Sequence, residues 1–196
     1  MRLKMLYPVV LASASPRRRE LLSELGVSFR VETADVQEIT AEDAEETVRR
    51  NAELKASAAA LRFPESLVIG ADTVVECGGR IFGKPSGPAA AAAMLRSLSG
   101  REHRVLTGVS LCLKQRGLHL TFAEITRVVF KTLPDTVIRQ YMELVPVLDK
   151  AGAYAVQEHG ELLLERLDGP LSNVIGLPLE RLRQVLLAER LAEPVE

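Results

Sequence analysis

With 196 residues, 47% hydrophobic and 26% charged, the chain suits one domain, or one core divided into two lobes, and is too apolar for a disordered or fibrous protein. A net charge of −1 gives no overall basic field for a nucleic-acid polymer, so any grip on a polyanion has to be local, which suits a small ligand. No apolar run has the length of a membrane span or of a signal peptide, and Cys77 and Cys112 stand far apart outside any CxxC pattern; the expectation is a cytoplasmic protein with reduced thiols.

The first predicted strand, Val9-Val10-Leu11-Ala12, runs directly into Ser13-Ala14-Ser15-Pro16-Arg17-Arg18-Arg19, where a helix begins. Ser15 suits the N-cap, and Pro16 suits the first helical position, where its missing N–H costs nothing. The helix is expected over Arg17 to Leu25, with Leu21, Leu22 and Leu25 on one face and Gly26 as its stop. The unpaired N–H groups of a first turn favour an anion, so three arginines in that turn need something negative among them. A phosphate chain is the candidate; a solvated arginine run is the plain alternative.

Val27 to Glu32 alternates like a half-buried strand, and an acidic loop through Asp35 and Glu38 leads to a helix from about Ala41 to Leu61. Leu67 to Val75 is the most apolar strand, followed by a hairpin at Gly78-Gly79, and Ala89 to Leu98 is helical by propensity. Arg104 to Leu113 and Leu118 to Lys131 form two long strands around a polar turn near Gln115-Arg116-Gly117. Pro134 to Leu144 reads as a helix, and Tyr154 to Gln157 with Leu162 to Leu167 as a strand pair. The last helix starts near Pro178, with Leu179, Leu182 and Leu186 at helical spacing. This interleaving predicts an α/β fold whose sheet is mixed and not purely parallel.

Asp72 interrupts the apolar run Leu67-Val68-Ile69-Gly70-Ala71…Val74-Val75. A carboxylate there is costly to desolvate unless a cation, a metal or a hydrogen-bond donor meets it, and Gly70 permits close backbone approach. Glu38 is a second carboxylate for a hard divalent cation, which takes few protein carboxylates and completes its shell with water and phosphate; by itself it is a solvated loop charge. Lys55 shares a helix face with Val48 and Ala52, although the stripe Leu54-Ala58-Leu61 competes for the buried side. Lys84 lies in the loop Gly83-Lys84-Pro85, where the fixed proline geometry could aim its ammonium, with an ordinary surface lysine as the default reading. Asp149-Lys150-Ala151-Gly152-Ala153-Tyr154 is a charged pair followed by small residues that can bring backbone close to a flat ligand, and Gln157 could read a base edge or cap a strand. His103, His119 and His159 lack metal-ligand spacing and read as structural, and the P-loop, HExxH and GxSxG patterns are absent from the sequence.

Taken in order, Leu11-Ala-Ser-Ala-Ser-Pro-Arg-Arg18, Ile69-Gly-Ala-Asp-Thr-Val-Val75, Gly83-Lys-Pro85, Leu98-Ser-Gly-Arg-Glu-His-Arg-Val-Leu-Thr-Gly-Val109, Asp149-Lys-Ala-Gly-Ala-Tyr154 and Ser172-Asn-Val-Ile-Gly-Leu-Pro178 resemble the Maf family of nucleoside triphosphate pyrophosphatases. The resemblance spans nearly the whole chain, 1–196, as one domain. It implies an elongated α/β fold like that of inosine triphosphate pyrophosphatases, with a mixed sheet and two lobes flanking a nucleotide cleft. It also implies metal-assisted hydrolysis of a nucleoside triphosphate to the monophosphate and pyrophosphate, with Mg²⁺, Mn²⁺ or Co²⁺. On that pattern Asp72 matches the proton acceptor; metal-ion chemistry separately makes Asp72 and Glu38 the candidate metal ligands, and the sequence does not separate the base and ligand roles of Asp72. Ser13, Arg17, Glu38, Lys55 and Lys84 match polar positions of the cleft, and Arg17, Thr73 and Gln157 match the positions that separate subfamilies. Thr73 and Gln157 resemble the dTTP/UTP type, while Ala155 stands where the family often has glycine. Two alternatives stay open at this point: a pyrophosphatase for modified purine or 7-methyl-GTP nucleotides, and a nucleotide-binding regulator of septum formation. The family further suggests a homodimer with a small-molecule nucleotide as substrate; the charge balance and the lack of a spanning run give the expectation of no nucleic-acid polymer or membrane as partner.

Overall fold

A computed structural model of the chain describes residues 2–33 and 35–195. In chain order the elements are β1 (Leu3–Met5), β2 (Val9–Ala12), α1 (Pro16–Glu24), β3 (Phe29–Val31), α2 (Ala44–Ala60), β4 (Leu67–Cys77), β5 (Arg80–Phe82) and α3 (Pro88–Leu98). They continue with β6 (Glu102–Leu113), β7 (Leu118–Phe130), α4 (Asp135–Leu144), β8 (Leu164–Asp168), α5 (Leu171–Ile175), α6 (Leu179–Ala188) and β9 (Ala192–Pro194). Among the described residues, seven strands form one sheet in the order β3-β2-β4-β6-β7-β8, with β5 also paired to β4. Strand β2 is parallel to both β3 and β4, whereas β4–β5 and β7–β8 are antiparallel, so the sheet is mixed as the sequence predicts. The chain divides into two compact units. One runs to Asp72 and adds Thr107–Glu124 and the chain from Gly176 onward; the other comprises Thr73–Leu106 and Ile125–Ile175.

In the first unit, the junction of β2 and α1 forms as its residues dictate. Every residue of β2 is buried, and the Ser15 side chain accepts the N–H of Arg18 at 3.5 Å, with Pro16 at the first helical position. Helix α2 starts at Ala44, a few residues later than its apolar pattern suggests, because Asp43 caps it by accepting the Glu46 N–H at 2.8 Å. The N–H of Ala41 turns aside to Thr47 Oγ1 at 3.0 Å. The buried side of α2 is the one bearing Val48, Ala52, Ala56 and Ala59; the leucine stripe faces out, with Leu61 69% exposed. The sheet decides this. A Cβ at Gly70 of β4 would land on the Ala52 carbonyl oxygen and 2.7 Å from the Ala56 nitrogen, and one at Gly108 of β6 would land on the Val48 carbonyl. Backbone-to-backbone contact of that kind admits only small residues between helix and sheet, so alanines outrank leucines there.

The second unit has its own core of Val75, Phe82, Leu95, Leu98, Val128, Phe130, Ile138, Tyr141 and their neighbours. His103, 1% exposed, lies edge-on to Phe130 and Tyr154, and its Nε2 shares a hydrogen bond of 2.8 Å with the Tyr154 hydroxyl. Burial pushes the His103 imidazole down to about 4, so it is neutral in the folded protein at neutral pH. The unfolded chain binds that proton near the ordinary histidine value of about 6.5, so stability is full above that pH and is lost progressively as pH falls towards 4. The shift corresponds to about 3 kcal/mol of acid destabilisation. Urea unfolding of wild type and His103→Gln between pH 7 and pH 4 checks this: the wild type is expected to lose stability more steeply than the variant.

Three expectations need correction or addition. Tyr154 to Gln157 is not a strand; both backbone groups of Ala155 are taken by the Tyr141 hydroxyl, which receives the Ala155 N–H at 2.9 Å and donates to its carbonyl at 3.1 Å, leaving no ladder to form. Only the later segment, Leu164–Asp168, becomes a strand, and it pairs with β7. Strands β1 and β9, which the sequence pattern does not reveal, pair antiparallel with Leu3 opposite Pro194. The short helix α5 is likewise additional.

Candidate active site

Asp72, 7% exposed, sits in β4 one residue past the Gly70–Ala71 stretch that lies against α2. That helix supplies both of its partners. Lys55 Nζ donates to Asp72 Oδ1 at 2.7 Å, and Asn51 Nδ2 donates to Oδ2 at 3.0 Å. Asn51 and Lys55 are four apart, hence on one face, the face that Val48, Ala52 and Ala56 press onto the sheet. The Lys55 ammonium also meets Glu38 Oε1 at 2.8 Å, so one cation bridges two carboxylates, one buried and one 56% exposed at its side chain. This satisfies the requirement that a carboxylate inside the apolar strand meet a cation and a donor.

At the start of α1, Arg18 reaches back to Ser13 Oγ at 3.1 Å and to the Gly176 carbonyl at 2.8 Å; Ser13 Oγ also accepts the Ser15 N–H at 3.3 Å. Burial pushes the Arg18 guanidinium down, the negative charges of Asp72 and Glu38 pull it up, and Arg17 pushes it down again. Part of the negative charge that the arginine run needs is thus the protein's own. Arg17 is half-buried at the same turn.

The structure therefore gathers Ser13, Arg17, Glu38, Lys55 and Asp72 within one unit. Thr73 follows Asp72 on β4 and is half-buried, Lys84 is exposed in the loop after β5, and Gln157 is exposed in the turn after Tyr154; all three belong to the other unit. Sequence reasoning passed over Asn51 and left Arg18 without a role. The signal for Asn51 was an amide inside a helix, four residues before Lys55, where asparagine has no propensity reason to be.

Asp72 and Glu38 offer oxygen donors that already converge on a single cationic position, that of the Lys55 ammonium. A hard divalent ion needs no more than one or two protein carboxylates, with water and phosphate completing its shell, so this pair fits such an ion. Among the described residues no group of three or more His, Cys, Asp or Glu forms a metal cage independent of substrate.

The pattern of the Maf-like protein family matches residues 8–189. The chain belongs to that family. This Maf-like chain is 45% identical over 184 residues to the dTTP/UTP pyrophosphatase of Akkermansia muciniphila, covering 93% of this chain and 96% of that one. It is 46% identical over 173 residues to the dTTP/UTP pyrophosphatase of Geobacter sulfurreducens (87% and 91% covered) and 44% identical over 180 residues to that of Moorella thermoacetica (91% and 93% covered). In fold, the Maf-like chain is similar to the Staphylococcus aureus Ham1 protein, with a TM-score of 0.53 at 18% identity over 93% of this chain and 99% of that one. No helix among its described residues is long and apolar enough to cross a membrane.

Proposed function

We propose that this chain hydrolyses nucleoside triphosphates, dTTP and UTP preferred, to the monophosphate and pyrophosphate. Its near full-length similarity to relatives named dTTP/UTP pyrophosphatases supports the reading. The structural observation that carries it is the buried Asp72 carboxylate, held at one oxygen by the Lys55 ammonium and at the other by the Asn51 amide.

Releasing pyrophosphate requires water to attack the α-phosphorus in line with the leaving oxygen. Asp72 accepts the proton of that water: each carboxylate oxygen keeps a free lone pair beyond the one facing Lys55 or Asn51. Because both donors are in place before substrate arrives, the carboxylate needs no reorganisation at the moment of reaction. Lys55, Arg17 and Lys84 hold the triphosphate, Ser13 contacts a phosphate oxygen, and Arg17, Thr73 and Gln157 select the base. A divalent ion (Mg²⁺, Mn²⁺ or Co²⁺) held by Asp72 and Glu38 would neutralise charge on the phosphate oxygens. In this reading the chain works as a single domain on a free cytoplasmic nucleotide and pairs as a homodimer.

Pyrophosphate release from a panel of pyrimidine, purine and 7-methylated guanine triphosphates with Mg²⁺ or Mn²⁺ tests the assignment. Preferential turnover of dTTP and UTP is expected. Preferential turnover of a purine would overturn the base assignment, and binding without hydrolysis would overturn the reaction.

A further inference from the structure

Asn51 contacts more than Asp72. Its Oδ1 accepts the N–H of Ile39 at 2.8 Å and its Nδ2 donates to the Ile39 carbonyl at 3.0 Å, so the side-chain amide closes a two-bond pair with one peptide unit. The same Nδ2 gives its second hydrogen to Asp72 Oδ2. The orientation of the amide is fixed by chemistry, since turning it over would set its oxygen against two oxygens and its NH₂ against an N–H. Ile39 is the residue after Glu38. One side chain, 2% exposed, therefore ties the segment carrying one carboxylate to the other carboxylate, beside the lysine that bridges them.

We propose that Asn51 is a positioning residue for the reaction assigned above: it sets the separation of Asp72 and Glu38 so that the two converge on one cation. The inference rests on that assignment and adds a role for a residue outside the proposed substrate and metal contacts, one that acts through Ile39 and Asp72. A helix-interior asparagine spends its hydrogen bonds on partners 12 and 21 residues distant, which gives the helix itself nothing. Thr47, one turn earlier on α2, anchors Ala41 without reaching Asp72 and serves as the internal comparison.

The experiment compares wild type, Asn51→Ala, Asn51→Asp and Thr47→Val by thermal melting, by steady-state pyrophosphate release from UTP, and by hydrogen exchange of the Ile39 amide. Asn51→Ala removes all three bonds. Asn51→Asp keeps the size and the acceptor for Ile39 but loses the donor to Asp72. Both are expected to melt cooperatively and to lose about tenfold or more in kcat with KM within about threefold, as misplacement of a reacting group does. Thr47→Val is expected to keep kcat within about threefold. The Ile39 amide is expected to exchange faster in Asn51→Ala alone. Wild-type kcat in folded Asn51 variants would overturn the proposal, as would an equal loss in Thr47→Val or unchanged Ile39 exchange in Asn51→Ala. Wild-type protein that releases no pyrophosphate would overturn the assigned reaction and this role with it, while accelerated Ile39 exchange would still report the tie itself.

Discussion

Asp72→Asn is expected to lower kcat for pyrophosphate release by about 10²-fold or more while the protein stays folded. The substitution keeps shape and volume but removes the proposed acceptor of the attacking water's proton. Its geometry also turns unfavourable: an amide at position 72 can present its oxygen to Lys55 or to Asn51 but sets its own NH₂ against the other, where the carboxylate accepts from both, at 2.7 and 3.0 Å. That mismatch at a residue 7% exposed costs about 1–3 kcal/mol, enough to lower the melting temperature without abolishing folding. Steady-state kinetics with UTP and a thermal melt check both halves. Near-normal turnover in the folded variant would remove Asp72 from the chemistry.

Lys55→Met carries the second large effect, and it divides into activity and stability. Loss of a fixed cation at the phosphates is expected to cost about 10²–10³-fold in kcat. On stability, the variant leaves Asp72, inside an apolar strand, with the Asn51 amide still donating to it at 3.0 Å and faces it with Glu38, a like charge. Breaking a buried pair costs about 3–5 kcal/mol; the Lys55 and Asp72 side chains are 13% and 10% exposed, so about 2–4 kcal/mol is expected for that half. The Glu38 half adds little, because Glu38 is 56% exposed and screened by water. Melting with and without Mg²⁺ separates these effects: the variant is expected to be stabilised by the ion more than wild type, since the two carboxylates then lack a cation between them. A variant as stable and as active as wild type would contradict the arrangement.

The parts of this arrangement that local chemistry determines were legible in the sequence. The capped start of α1 follows from Ser15-Pro16, and the buried carboxylate of β4 stands out because a charge interrupts an apolar run. Lys55 was found as a polar residue on an apolar face, but the choice of face was not, because hydrophobicity favours Leu54 and Leu61 while the contact of α2 with Gly70 and Gly108 favours alanine. That contact is made by backbone atoms of three elements remote in sequence and leaves no periodic signal. The same holds for Asn51, whose partners lie in a loop and a strand, and for β1–β9, where three-residue strands pair across almost the entire chain. The mistaken strand at Tyr154 to Gln157 has a different origin. Its apolar composition is real, with Tyr154, Ala155 and Val156 all buried, but the backbone hydrogen bonds of Ala155 go to a side chain. Family resemblance, in turn, carried Thr73 as a proposed base-selecting residue, and for Gln157 it favoured base reading where residue chemistry alone left base reading and strand capping both open.

The most direct measurement of the central claim is hydrolysis of dTTP in water carrying isotopically heavy oxygen, with the products separated and weighed by mass spectrometry. Attack on the α-phosphorus places the heavy oxygen in the monophosphate and leaves the pyrophosphate unlabelled, which is the predicted result. Label in the pyrophosphate, or orthophosphate as the released product, would contradict the account.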